Sequence, residues 1–181
     1  LYHLPEKVLQ KIYGNPVPYD GKLSSEHTEY VGKPWQVFWQ ENCYMGVDCL
    51  GICKYHTTFL GATLPNFEDW PKVLYYNTGL EFTPEELWEI AERCNMVERL
   101  FNLREGLTRD DLEKGDMLNH RYFDEPTRRG APDVVGRVID KDKFIEMVDE
   151  FYEHKGLDKK GKPKAKTLKR LGLENEPSRM L

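Results

Sequence analysis

The stretch that sets the fold class is Thr83-Pro84-Glu85-Glu86-Leu87-Trp88-Glu89-Ile90-Ala91-Glu92-Arg93-Cys94-Asn95-Met96-Val97-Glu98-Arg99-Leu100-Phe101. A hydroxyl residue, a proline and then a carboxylate three residues on form a helix start: Thr83 caps, Pro84 takes the first helical position and Glu86 closes a capping box. Leu87, Ile90, Ala91, Cys94, Val97 and Phe101 recur at three and four, which predicts one buried stripe on a long helix running until Gly106. Cys94 falls on that stripe and reads as a core residue.

Outward from this helix the pattern repeats. Val8, Leu9 and Ile12 predict a short helix over Pro5 to Ile12, stopped by Gly14-Asn15-Pro16 and Pro18. A loop to about Gly32 follows. Pro34 then opens a helix whose Trp35, Phe38 and Trp39 share a face, with an expected end near Gly46. Between Leu107 and Val138 the chain is polar and interrupted by Pro126, Pro132 and several glycines, so a long loop with short helical turns is expected. Asp140 or Asp142 caps the next helix, with Phe144, Ile145, Val148, Phe151 and Tyr152 buried up to Gly156, and a last short helix carries Thr167, Leu168 and Leu171. Strand-like alternation is sparse and no repeat is evident, so the expected architecture is all-α, an irregular multi-helix body.

Composition agrees with a folded body. The 181 residues are 39% hydrophobic, 12% aromatic and 31% charged, unlike the aromatic-poor composition of disordered chains. No apolar run approaches the roughly 20 residues that cross a bilayer, and Leu1 to Tyr13 lacks a signal pattern, so the expectation is a cytoplasmic chain with no membrane partner. Because the chain begins at Leu1 rather than Met, a fragment of a longer protein is also expected. The net charge of −5 argues against a nucleic-acid partner. Lys155, Lys159, Lys160, Lys162, Lys164, Lys166, Lys169 and Arg170 form a basic run with almost no interleaved aromatic residue, which reads as a solvated helix face.

The chemistry-bearing residues are the four cysteines, Cys43, Cys49, Cys53 and Cys94. Their spacings do not supply the two chelating turns of a zinc ribbon, and zinc held by Cys49, Cys53 and His56 would need an unusually tight loop. A disulfide framework is not expected in an intracellular helical chain of this size. The segment Val47-Asp48-Cys49-Leu50-Gly51-Ile52-Cys53 is short, small-residued and sulfur-rich, and reads as a functional turn rather than a helix. Gly51 permits a close approach of backbone to a ligand, Asp48 offers a carboxylate acceptor, and Cys53 offers a soft thiolate suited to an iron–sulfur cluster. The bland alternative is a structural cysteine beside a glycine.

Asp48-Cys49-Leu50-Gly51-Ile52-Cys53-Lys54 resembles the second Asp-x-x-Gly-Leu-Cys motif of the aldehyde ferredoxin oxidoreductase family, with Ile52 in place of leucine. The likeness continues through Ala91-Glu92-Arg93 and Glu98-Arg99-Leu100-Phe101-Asn102-Leu103-Arg104-Glu105-Gly106-Leu107-Thr108-Arg109-Asp110-Asp111, which is similar to the family's Arg-Phe-Asn-x-Arg-Glu-Gly signature. Glu125-Pro126, Met147 to Asp158, Gly161-Lys162-Pro163, Leu168 and Leu171-Gly172-Leu173 are similar to the family's closing stretch.

The resemblance implies that residues 1–181 are the C-terminal helical region, a partial set of the family's domains 2 and 3, with the N-terminal cofactor-binding β domain absent. It implies a parent oxidoreductase that turns aldehydes into carboxylic acids through a tungsten or molybdenum bis-pterin and a 4Fe-4S cluster, passing electrons to ferredoxin or another carrier. Carried over by position, Asp48 bonds the pterin's amino group, backbone near Ile52 touches the same ring, Cys53 is the fourth cluster ligand, and Lys54 sits beside them. Arg104 and Glu105 read as an ion pair locking a helix end. The other three cluster cysteines, the first pterin motif and the acid/base residues belong upstream, so catalytic residues are not assigned, and His3 has no clear counterpart. Leu112-Glu113-Lys114-Gly115-Asp116 departs from the family's usual Leu-Pro-x-Arg. The fragment alone is expected to be inactive and to need the missing N-terminal portion as partner, with a homo-oligomer possible. Two other readings remain open: a fragment of the related tungsten-dependent benzoyl-CoA reductase subunit, and a cofactor-free helical scaffold.

Overall fold

The computed structural model describes residues 4–57, 65–110 and 115–176. Among the described residues seven α-helices follow in chain order: α1 (Glu6–Tyr13), α2 (Lys33–Leu50), α3 (Trp70–Thr78), α4 (Pro84–Arg104), α5 (Arg121–Asp124), α6 (Lys141–Lys155) and α7 (Ala165–Arg170), with a single 3₁₀ turn at Lys54–His56. Among the described residues there is no strand, only one isolated bridge between Leu157 and Pro163. The all-α expectation therefore holds.

Local chemistry accounts for the helix boundaries. Thr83 Oγ1 accepts from the Glu86 amide at 3.1 Å while Glu86 Oε2 accepts from the Thr83 amide at 2.7 Å, so both halves of the capping box form. Thr83→Ala removes the first of these bonds and is expected to cost about 1 kcal/mol. Thermal denaturation should show this as a melting point lower by roughly 2–4 °C. Asp140 caps α6 by accepting from the amides of Asp142 and Lys143, both at 3.1 Å. α1 stops at Gly14, where the sequence placed its end.

α2 runs past its expected end. Gly46 is buried inside the helix, and a Cβ there would meet the Trp70 ring at 3.0 Å and the Phe67 ring at 3.2 Å. That glycine lets two aromatic rings lie against the helix rather than ending it. The actual stop is Gly51, which takes the left-handed conformation at φ 67°, while the Ile52 amide reaches back to the Val47 carbonyl at 2.9 Å. This is a Schellman closure, in which a residue without a Cβ turns the chain away. The expected functional turn over 47–53 is thus a last helical turn, a glycine reversal and a short extended exit.

α2 is the central helix, packing on α4 and α6, with α1 and the 3₁₀ turn also against it. Trp35, Phe38 and Trp39 share its buried face as expected. The indole of Trp35 donates to the Tyr13 carbonyl at 2.7 Å and that of Trp39 to the Asn15 carbonyl at 2.6 Å, which fixes α1 on α2. This first core also takes Phe67, Trp70, Leu87, Trp88 and Ala91. A second core gathers Met96, Leu100, Val148, Tyr152, Leu157, Leu168, Leu171 and Leu173. α4 contributes to both.

The buried face of α4 is rotated from the expected stripe. Leu87, Trp88, Ala91, Glu92, Asn95, Met96, Arg99 and Leu100 are buried, whereas Phe101 is 48% exposed and Cys94 only half-buried. Three of those buried residues are polar, and each has a partner. The Asn95 amide donates to Asn42 of α2 at 2.8 Å. Glu92 accepts two bonds from Arg170, and Arg99 pairs with Asp116. A stripe drawn from apolar residues alone misses this face. On α6, Val148 and Tyr152 are buried, while Phe144, Ile145 and Phe151 are half-buried.

The basic run also differs from the expected solvated helix face. Lys155 is buried and its ammonium pairs with Glu41 of α2, and Arg170 forms the fork with Glu92. Lys159, Lys160, Lys162, Lys164, Lys166 and Lys169 are exposed, the first four of them ahead of α7. Arg104 and Glu105 do pair, at 2.9 Å, on the surface at the end of α4.

Candidate functional site

The glycine reversal at Gly51 folds the exit of α2 back on its last turn. Asp48 stands on that turn and Lys54 opens the 3₁₀ turn, and their side chains form an ion pair at 2.9 Å. The same ammonium lies 5.1 Å from the centroid of the Tyr44 ring, one helical turn before Asp48. Such an exposed pair contributes little to stability. It does give the Asp48 carboxylate a preferred direction.

Cys53 lies between these anchors, in extended backbone just before the 3₁₀ turn, and it is exposed and not in a disulfide. Ile52 is half-buried against the first core. A Cβ added at Gly51 would meet nothing within 4 Å, so the reversal faces open space. The three residues singled out from the sequence thus sit together, with Asp48 and Cys53 presented outward and Ile52 anchoring the loop. An exposed thiol, an oriented carboxylate and an uncovered loop fit one ligand to an iron–sulfur cluster and one acceptor for a heterocycle's amino group. Among the described residues no three His, Cys, Asp or Glu side chains gather to hold a metal ion. Zinc on Cys49, Cys53 and His56 does not fit this arrangement, because Cys49 turns to another partner.

That partner is Cys94. The two sulfurs are 3.7 Å apart, linking the exposed Cys49 of α2 to the half-buried Cys94 of α4. Although Cys49 is exposed as a residue, partial desolvation of its sulfur and then the neighbouring Cys94 thiol push that thiol up to about 11. Cys43 is fully buried in the first core. The Cys49–Cys94 approach could not be read in advance, since forty-four residues separate the two. Tyr44 was missed for a different reason: its spacing of four from Asp48 becomes meaningful only once the helix continues through Gly46. His3 and residues 111–114 lie outside the described residues.

The family profile described as "Aldehyde ferredoxin oxidoreductase, domains 2 & 3" matches residues 3–173. The chain belongs to the aldehyde ferredoxin oxidoreductase family. It is 34% identical over 128 residues to the tungsten-containing aldehyde ferredoxin oxidoreductase of Pyrococcus horikoshii, which covers 71% of the chain and 19% of that protein. To the same enzyme of Pyrococcus furiosus it is 32% identical over 127 residues, or 70% of the chain and 19% of that protein. The matched stretch thus spans about a fifth of the length of these relatives. Among solved structures, the active site complex BamBC of benzoyl coenzyme A reductase with 1,5-dienoyl-CoA superposes with a TM-score of 0.61 at 23% identity. That match covers 97% of the chain and 24% of the other, and shows a shared fold. Among the described residues no helix is long and apolar enough to cross a membrane.

Proposed function

We propose that the chain is the C-terminal cofactor-holding segment of a tungsten- or molybdenum-bis-pterin, iron–sulfur oxidoreductase that oxidises aldehydes to carboxylic acids. Its electrons pass to ferredoxin or another carrier, and the segment alone is inactive. The observation that carries this reading is the exposed Cys53 thiol, one residue from the Lys54 ammonium that orients Asp48, on a loop open to solvent. Asp48, the backbone beside Ile52 and Cys53 would hold the metal–pterin and 4Fe-4S groups, which when bound would supply the redox chemistry that carries electrons away from the substrate.

The chain's own residues do three things in this scheme. Cys53 supplies one thiolate to the cluster. Asp48 accepts a hydrogen bond from the pterin's amino group, and Lys54 keeps that carboxylate turned toward the loop. The backbone beside Ile52 would approach the same ring, an approach that the Gly51 reversal leaves unobstructed. The remaining cluster ligands and the substrate pocket come from the N-terminal portion of the same enzyme. A second reading, in which the parent reduces an aromatic ring carried on coenzyme A, draws on the fold shared along almost the whole chain with the benzoyl coenzyme A reductase complex. Assay of the full-length protein with aldehydes and with aromatic coenzyme A thioesters separates the two.

Metal analysis of the full-length protein, purified without oxygen, tests the cofactor role. Tungsten or molybdenum together with cluster iron is the expected result, and a colourless protein without either would establish the cofactor-free scaffold instead. Asp48→Ala should keep the iron but weaken pterin retention. Loss of a hydrogen bond to a charged acceptor costs roughly 1.5–3 kcal/mol, or about 10- to 100-fold in affinity.

A further inference from the structure

We infer that Cys49 and Cys94 form an oxidative modification site, a thiol pair that a hydroperoxide converts into a disulfide tying α2 to α4. This goes beyond the cofactor role of Cys53 and does not depend on it. Among the chain's cysteines only these two are brought into sulfur contact from different helices, with Sγ atoms 3.7 Å apart. Cys43 is sealed in the core, so it meets no oxidant from solvent. A disulfide needs the sulfurs at roughly 2.0 Å, a closure within reach of side-chain rotation and a small shift of the α2 end.

The chemistry divides between the two residues by exposure. Cys49 is exposed on the last turn of α2 and meets the peroxide, while Cys94 is half-buried behind it. The Cys49 sulfur attacks one peroxide oxygen, the O–O bond breaks, and water or an alcohol leaves with the thiol proton. Cys49 is then a sulfenic acid. The Cys94 sulfur attacks that sulfenic sulfur, the S–S bond forms, the S–O bond breaks, and a second water leaves with the Cys94 proton. In total two thiols lose two electrons and the hydroperoxide gains them. At rest Cys49 stays a neutral thiol, because partial desolvation of its sulfur and the adjacent Cys94 sulfur raise it to about 11. The reaction therefore draws on a small thiolate fraction.

The test treats the 181-residue chain with hydrogen peroxide, alkylates the remaining thiols and identifies the linked peptides by fragmentation in a mass spectrometer. The expected product joins Cys49 to Cys94, two hydrogens lighter than the reduced pair, with Cys43 and Cys53 outside the link. Any other state of Cys49 and Cys94 overturns the inference, whether both are alkylated, over-oxidised or joined to Cys53. A parallel reaction in concentrated urea checks that the fold directs the pairing. There the short Cys49–Cys53 loop closes at lower entropic cost than the long one, so the preference should pass to Cys53. The same pairing in urea and in buffer would count against the site. Cys94→Ser supplies a final check: the variant should carry Cys49 to the sulfinic acid, and an unoxidised Cys49 would overturn the assignment of Cys49 as the attacking sulfur.

Discussion

Replacing Cys53 with serine in the full-length protein is expected to lower cluster absorbance and bound iron at least tenfold, while Cys94→Ser leaves both intact. Iron–sulfur clusters are held by thiolates, and a serine hydroxyl is a hard oxygen that stays protonated at neutral pH. Losing even an outer partner of a metal ligand costs roughly 10- to 100-fold in affinity, so losing the ligand itself sets a lower bound on the effect. Among the described residues no other cysteine is placed to substitute: Cys43 is fully buried, and Cys49 is turned toward Cys94. Iron content and visible absorbance of the two purified variants decide the matter. Equal loss in both, or normal iron in Cys53→Ser, would remove Cys53 from the cluster.

The second large effect concerns Arg99. Arg99 is 7% exposed, and its guanidinium serves three groups at once: it donates to the Gly161 carbonyl at 2.9 Å, pairs with Asp116 at 2.7 Å and lies over the Tyr152 ring. Tyr152 in turn donates a short hydrogen bond to Asp116. Arg99→Met keeps the length of the side chain but strands the carbonyl and the carboxylate. Breaking a buried pair costs about 3–5 kcal/mol, and the partial exposure of Asp116 puts this case at the lower end. A melting temperature lower by roughly 6–12 °C is expected.

Replacing Asp116 with leucine in the same protein should return part of the loss, since no carboxylate is then left unpaired. A shift under a degree for Arg99→Met would show that the network contributes nothing. Burial first, and then the bond to Asp116, hold the Tyr152 phenol above its usual 10.0. The hydroxyl therefore remains a donor below that pH, and its contribution fades only as pH climbs from there through the raised value.

How much of this was readable in advance depends on the kind of interaction. Caps were legible because they act within a few residues: Thr83 with Glu86, and Asp140 with the next turn, are local hydrogen bonds written in adjacent letters. The Trp35, Phe38 and Trp39 face was legible for the same reason. Gly46 was not, because only the approach of Phe67 and Trp70 shows that it makes space rather than a stop. α3 passed unnoticed, its Asp69-Trp70-Pro71 start lacking a side-chain cap and its Tyr75 and Tyr76 pointing outward. The polar face of α4 was hidden because Asn95, Arg99 and Glu92 are buried only by virtue of partners far along the chain. At the candidate site the sequence supplied the residue types, through the Asp-to-Cys motif. It could not supply the Lys54 ion pair or the Cys49–Cys94 contact, both of which depend on where the chain goes after Gly51.

α4 contributes side chains to both cores, and this makes the molecule unequal in its tolerance of length changes. Ala91 belongs to the first core and Leu100 to the second, so their separation is fixed by helical rise at roughly 13 Å. Deleting a single residue between them would swing one set of side chains by about 100° relative to the other, turning Arg99 and Leu100 away from Gly161 and Leu171. Insertions between α5 and α6 meet no such constraint, because that connection runs mostly over the surface and its added length can bulge into water.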